Sequence, residues 1–302
     1  MTETTHAPVF KSGFVTIAGA PNAGKSTLLN RILGEKVSII SSKPQTTRNR
    51  ILGVCHRPDA QIVFYDTPGI FAAGDRFNTR IVNAAVSAFG DADLILAVVD
   101  AAHPDRAAEE LLAETLRTQQ RPVVIALNKI DLIGGKETLL DMSRRWAERC
   151  PCEAVVPVSA LDGTQVDDLV AALVAALPEG PAYFPADTLT DVTERFVAAE
   201  LIREKIFRLT GEEIPYASAV TVEAFKPSAD GKRVSIAATI HLERDSQKGI
   251  VIGRGGAMLK RIGTEARQDI EKMVGAKVFL KLFVRVQKNW RKDAKAIERF
   301  GY

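Results

Sequence analysis

Aromatic residues are scarce, at 6% of the chain, and histidine is rarer still, with 4 in 302 residues. Cysteine occurs three times, as Cys55, Cys150 and Cys152. An odd count, with only Cys150 and Cys152 close together and no second pair, excludes a disulfide framework and a Cys-based zinc site. It fits a reducing compartment, the cytoplasm. No apolar run approaches the roughly 18 residues of a membrane span. The start, "MTETTHAPVFKSG", has no basic region followed by an apolar stretch, so a secretory signal is not expected. There is no low-complexity tract and no internal repeat. What remains is an ordinary globular composition, 46% apolar and 25% charged, long enough for two domains.

Charge is unevenly spread. From Ala186 onward there are 22 Lys and Arg against 16 Asp and Glu, an excess of +6, which leaves −3 for the preceding residues of a chain whose total is +3. A basic C-terminal third suits a polyanionic partner, although a modest excess also suits a merely solvated surface.

The two parts also differ in rhythm. Up to about residue 180, the apolar runs "FVTIAG", "AQIVFYDTPG", "ADLILAVVD", "PVVIALNK" and "EAVVPVSA" alternate with helical patterns such as "DRAAEELLAETLRTQ". This predicts an α/β domain over 1–180, with a mostly parallel sheet covered on both faces. "RNRILGVCHRPDAQIVFYD" adds one antiparallel edge pair around an Arg-Pro-Asp turn. The proline-rich stretch around 181–190 reads as a linker. Over 191–302 the order becomes helix–strand–strand–helix–strand, an α+β domain.

"GAPNAGKS", Gly19–Ser26, fits G-x-x-x-x-G-K-[ST] between a strand and a helix, the setting that gives the motif meaning. Gly19, Asn22, Ala23, Gly24, Lys25, Ser26 and Thr27 would form a phosphate cradle. Its backbone N–H groups surround the phosphates, Lys25 meets the β- and γ-phosphates, and Ser26 ligates Mg²⁺. "DTPG" follows at a strand end, placing Asp66 to hold Mg²⁺ through water and the Gly69 amide to meet the γ-phosphate. "NKID" ends another strand. Guanine offers N1–H and an exocyclic amine, so the Asp131 carboxylate accepting both would reject adenine. Asn128 would bond the base edge, and the Lys129 stem would cover its face. In "SAL", Ser159–Leu161, the Ala160 amide would reach the guanine O6. In series, each at a strand's C-terminal end, these motifs place a nucleotide where open α/β sheets bind ligands.

This set resembles the small GTPases of the translation-factor class, and "KPQTTRNR", Lys43–Arg50, resembles the first switch of the Era family. There a threonine meets both Mg²⁺ and the γ-phosphate; Thr46 and Thr47 both qualify, with Thr47 preferred. Lys25, Thr47 and Gly69 thus carry the catalytic reading. Ile70 stands where regulatory GTPases commonly carry a water-positioning glutamine, so unaided turnover should be slow. Asn22 matches an asparagine that coordinates K⁺ in related GTPases; the alternative is that it only accommodates a tight turn.

A second glycine loop, "GRGG", Gly253–Gly256, lacks the Lys-Ser ending and so does not repeat the first. Its setting resembles a type II KH domain, whose G-X-X-G loop clamps single-stranded RNA backbone. Gly253, Gly255 and Gly256 would let the strand approach, with Arg254 meeting phosphate and Lys260, Arg261 and Arg267 extending the positive surface. Ile250, Val251 and Ile252 would line the groove or pack in the core. "QKGIVIGRGGAMLKRIGTEARQDIE" and the terminal "ERFGY" are likewise similar to the Era family. The resemblance implies a GTPase that uses GTP/GDP and Mg²⁺, expected in the cytoplasm, with nothing in the sequence arguing against a monomer. It would bind small-subunit ribosomal RNA near its 3′ end and assist assembly of the small ribosomal subunit. The competing reading makes the C-terminal module a docking surface for a protein or a peripheral membrane contact. Lys281 and Arg285 alternate with Phe279 and Phe283 on one strand face, as either an RNA surface or a face covered by helices.

Overall fold

The strands of the N-terminal sheet are mostly runs of β-branched and other apolar residues, the pattern of a sheet covered on both sides, whereas the C-terminal strands alternate apolar and polar positions. The computed structural model describes residues 9–41, 43–44, 46–71 and 76–300. The chain divides into two compact units, Met1–Val37 with Arg50–Asp191, and Ser38–Asn49 with Val192–Tyr302.

The first unit runs β1 (Lys11–Gly19), α1 (Lys25–Leu33), β2 (Ile51–His56), β3 (Ala60–Asp66), α2 (Arg76–Ser87), β4 (Leu94–Asp100), α3 (Arg106–Arg117), β5 (Val123–Asn128), α4 (Lys136–Arg149), β6 (Ala154–Val158) and α5 (Val166–Ala176). The sheet order is β2-β3-β1-β4-β5-β6. Only β2 against β3 is antiparallel, which is the expected edge pair. Along β4, alternate residues serve opposite cores. Leu94, Leu96 and Val98 pack with α1 and α5, whereas Ile95, Ala97 and Val99 pack with α3 and α4. Asp105 caps α3 by accepting from Ala108 N at 3.1 Å, one reason the helix starts there. The register sets Ile17 beside Asp66, Gly19 beside Val98, and Asp100 beside Asn128. The functional motifs therefore gather at the C-terminal edge of one sheet.

The proline-rich stretch after α5 is tied to this unit. Ser12 Oγ donates to Pro181 O at 2.6 Å, Val54 N to Leu189 O at 2.8 Å, and Thr190 Oγ1 to Leu52 O at 2.5 Å.

The second unit runs α6 (Glu194–Leu209), α7 (Ile214–Ala217), β7 (Ala219–Pro227), β8 (Arg233–Leu242), α8 (Asp245–Ile252), α9 (Ala257–Val274), β9 (Lys277–Val286) and α10 (Ala294–Arg299). Its sheet order is β7-β8-β9, with β7–β8 antiparallel and β8–β9 parallel. Helices α6 and α9 cover one face, where Ile202, Ile206, Ile262, Ala266 and Ile270 meet Ile236, Ala238, Ile240 and Val278. Pairing β8 and β9 in parallel requires a crossover. The pair α8–α9 supplies it, and the second glycine loop is the joint between those two helices.

Candidate functional site

The first glycine loop links β1 to α1. Gly19 (φ 149°) and Gly24 (φ 96°) have no room for a side chain. A Cβ at Gly19 would lie 2.2 Å from Val98 O, and one at Gly24 would lie 2.2 Å from Asn128 Nδ2. Asn22 adopts φ 62°, a left-handed conformation that asparagine tolerates. Lys25 is buried and donates to Gly19 O at 3.1 Å and Ala20 O at 2.8 Å. Burial lowers its pKa to about 8, with the nearby Asp66 charge opposing that shift. Ser26 Oγ donates to Asp66 Oδ2 at 2.7 Å, so the hydroxyl and the carboxylate expected to hold Mg²⁺ already adjoin. A hydroxyl and a fully buried carboxylate beside a lysine are hard oxygen donors of the type that bind Mg²⁺ together with phosphate. Thr27 is half-buried in the first turn of α1, and Ala23 is in the core.

The segment after β3 packs on this loop. Thr67 Oγ1 donates to Ile17 O at 2.7 Å, and Ile70 N donates to Gly19 O at 3.0 Å. A Cβ on Gly69 would sit 2.7 Å from Pro21 N, so glycine lets the two loops touch. Ile70 is 1% exposed and packs among Ala18, Phe89 and Ile95, which explains an apolar residue there.

On the base side, Asn128 acts as a tie. Its Nδ2 donates to Ala23 O at 2.8 Å, and its Oδ1 accepts from Ala160 N at 2.9 Å. It joins the phosphate loop to the Ser159–Leu161 loop, and it engages the Ala160 amide that the sequence suggested for guanine O6. Ser159 is buried, and its amide donates to Thr164 O at 3.0 Å. Lys129 takes φ 70° and pairs with Asp100. Asp131 is exposed.

Thr46 and Thr47 lie in Ser38–Asn49, the segment that belongs to the second unit. Arg48, 5% exposed, donates to Ser218 O at 2.8 Å, Tyr216 O at 3.0 Å and Pro215 O at 3.2 Å. Trp290 Nε1 donates to Ala217 O at 2.9 Å. Two side chains remote in sequence thus satisfy the carbonyls at the end of the four-residue helix α7. Thr46 O accepts from Arg203 Nη2, and Arg203 also pairs with Glu200 at 2.5 Å inside the core. Lys43 donates to Phe207 O and Thr210 O at the end of α6. Sequence reasoning quoted Arg48 within its motif but gave it no role, and it passed over Arg203. Neither position carries a local signal: Arg48 stands two residues from Arg50, and Arg203 directly precedes Glu204 and Lys205, as exposed arginines commonly do.

In the second unit, Gly253 (φ 73°), Gly255 (φ 59°) and Gly256 (φ 80°) make the loop between α8 and α9. A Cβ on Gly253 would meet Met258 N at 2.9 Å. Arg254 is exposed, and Gly256 begins α9 without a side-chain cap. A groove of about 390 Å³ adjoins it, floored by Leu259, Leu280 and Leu282 and edged by Lys260, Thr264 and Arg267. Gly263 keeps it open: a Cβ there would stand 3.3 Å from Leu282 Cδ1. Arg261 is not part of this lining; one helical turn along α9 it pairs with Glu265 at 3.0 Å. Of the apolar triplet before the loop, Val251 is in the core, and Ile250 is 53% exposed on α8. Gly263, Thr264, Leu280 and Leu282 escaped the sequence reading, because groove lining on an amphipathic helix and strand looks like core.

Residues 14–129 match the family model for a 50S ribosome-binding GTPase, and residues 213–291 match that for a KH domain. GTPase Era of Geobacter metallireducens is 54% identical over 293 residues, covering 97% of this chain and 98% of that protein. The chain belongs to the GTPase Era family. Era of Syntrophus aciditrophicus is 49% identical over 294 residues, with 97% and 96% covered. Two solved Era structures superpose closely at 40% sequence identity, each covering 97% of this chain and 99% of the other. One, in complex with MgGDPNP and nucleotides 1506–1542 of 16S ribosomal RNA, gives a TM-score of 0.92. The other, a point variant of Aquifex aeolicus Era bound to GDP·AlF4⁻, gives 0.91. Both the phosphate loop and the G-X-X-G groove fall inside the matched regions of this Era-family chain.

Proposed function

We propose that this Era-family protein is a GTPase that binds and hydrolyses GTP in its first unit. Its KH domain binds 16S-type ribosomal RNA near the 3′ end, and the protein assists assembly of the small ribosomal subunit in the cytoplasm. The observation that carries this reading is that one chain holds both kinds of phosphate site, the Lys25–Ser26–Asp66 cluster and an apolar groove edged by Lys260 and Arg267. No helix among the described residues is long and apolar enough to cross a membrane, and the three cysteines are free thiols.

In this reading Lys25, held beside Gly19 O and Ala20 O before nucleotide arrives, turns its charge to the β- and γ-phosphates. Ser26 and Asp66 hold Mg²⁺, which when bound neutralises charge between those phosphates. The amides of Gly24 and of Gly69 face the phosphate oxygens. Asn128 acts by fixing the two loops it joins, and exposed Asp131 reads guanine. Thr47, with Thr46 as the alternative, would offer its hydroxyl to the Mg²⁺ held there. With Ile70 in the core, no side chain directly after Gly69 orients water. K⁺ held by Asn22 would supply compensating charge, and comparing turnover in K⁺ and Na⁺ tests this.

Equilibrium binding of fluorescent guanine nucleotides checks the first half. Asp131→Asn should weaken GTP and GDP binding at least tenfold, and unchanged affinity would remove the guanine site. For RNA, Gly253→Asp combines backbone strain with charge, so Arg254→Glu on the exposed loop is the sharper variant. Loss of affinity for a 16S 3′-end oligonucleotide is expected, and unaltered binding would remove the clamp.

A further inference from the structure

The outward face of β9 carries an alternation that the groove does not use: Lys277, Phe279, Lys281, Phe283 and Arg285, all exposed. Phe279 is 69% exposed and Phe283 45%, so neither belongs to the core. The intervening residues Leu280 and Leu282 turn to the groove on the opposite side. Helices α6 and α9 cover that opposite side, whereas on this face only the end beside Arg285 is covered, where Phe300 after α10 packs on His241.

The register sets Ser235, Ala237 and Thr239 of β8 beside Phe279, Lys281 and Phe283. These neighbours are short, so the two rings rise over a low shelf. Side chains two apart on one strand face are about 7 Å apart, which puts the rings about 13 Å apart with Lys281 between them. Lys281 Nζ lies 5.1 Å from the Phe283 ring centroid, within reach of any phosphate beside a base on that ring. The charge is one-sided. Lys226, Arg233, Lys277, Lys281 and Arg285 face outward, against Glu223 at the bulge of β7.

We infer that this face is a second RNA-binding surface, on which Phe279 and Phe283 stack unpaired bases while Lys281 and Arg285 meet the phosphates between and beyond them. Exposed rings alternating with cations on a sheet are the combination that binds single-stranded nucleic acid without demanding a sequence. A cation-poor face would suit a protein partner better; here every outward residue of β9 is basic or aromatic. The inference rests on the proposed RNA-binding role. It answers a question of length, since a KH groove takes about four nucleotides, whereas the RNA in the solved Era complex spans nucleotides 1506–1542.

The test uses the full chain, an RNA of nucleotides 1506–1542, and a short single-stranded 3′-end oligonucleotide that only fills the groove. Phe279→Ala/Phe283→Ala and Lys281→Glu/Arg285→Glu alter exposed side chains, and matched melting temperatures verify folding. Both pairs should bind the long RNA about tenfold or more weakly, while their affinity for the short one stays within about twofold. Arg254→Glu should weaken both RNAs. Long-RNA affinity equal to wild type in both pairs overturns the second surface. If those pairs also lose association with intact small subunits, the face belongs to a protein partner instead. Wild type that binds neither RNA overturns the KH function itself, a different result from losing the long RNA alone.

Discussion

Lys25 is a buried ammonium whose pKa is lowered to about 8 by desolvation. In the nucleotide-free protein it therefore costs stability. The unfolded chain keeps this proton up to about pH 10.5, whereas the folded protein releases it near pH 8. The penalty is thus full below pH 8 and relieved as pH rises through the window between the two values. Lys25→Met should raise the stability of the nucleotide-free protein by about 1–3 kcal/mol at pH 7, with the gain shrinking above pH 8. The same variant should lose nucleotide-induced thermal stabilisation. Denaturant melts at pH 7 and pH 9.5, with and without GDP, check both points. A variant less stable than wild type at pH 7 would mean that the bonds to Gly19 O and Ala20 O outweigh desolvation.

At the level of elements, β7, β8 and α10 enclose His241. The residue is 6% exposed, its ring centroid is 4.3 Å from that of Phe300, and its Nε2 lies 2.8 Å from Thr221 Oγ1. Burial pushes its pKa down to about 4, with Arg285 and Arg299 adding to the shift and Glu223 opposing it. A depressed histidine is neutral in the folded state, so its contribution is intact above pH 6.5 and is lost as pH falls from 6.5 toward 4. Acid unfolding of the KH domain should show a loss of about 2–3 kcal/mol across that window. His241→Gln should flatten it. Urea melts from pH 7 to pH 4.5, read by Trp290 fluorescence, report the difference.

At the level of the whole molecule, the segment Ser38–Asn49 connects α1 to β2 in sequence but belongs to the second unit. It is the same stretch whose threonines are proposed to offer a hydroxyl to Mg²⁺. Arg48 anchors it by filling three carbonyls of α7 and the residue after it. Hydrogen bonds to charged groups contribute about 1.5–3 kcal/mol each, and the cost of burying the guanidinium offsets part of the three-bond total. Arg48→Ala should destabilise the protein by about 2–4 kcal/mol and expose Ser38–Asn49 to proteolysis. If this segment couples the two ligands, the difference in RNA affinity between GTP-analogue and GDP states should fall below about twofold in Arg48→Ala. An undiminished difference would place the coupling elsewhere.

Most of this protein can be read from its chain alone. Motif spacing singled out Gly19–Ser26, Asp66, the Asn128–Asp131 segment proposed to read guanine, and the G-X-X-G loop, because each depends on glycine geometry or on chemistry local to a few residues. Apolar periodicity gave both fold classes, including the antiparallel edge pair, because burial on one face or two dictates a period. The remainder needed the folded arrangement. Asn128 joins two loops whose contact points, Ala23 and Ala160, are distant along the chain. The Phe279–Arg285 face is open, and alternation on a strand reveals two sides but not which one a helix covers. Arg48 and the switch-like segment belong with the KH domain, through carbonyls left unfilled at the end of a helix far away in sequence, which nothing in the local sequence announces.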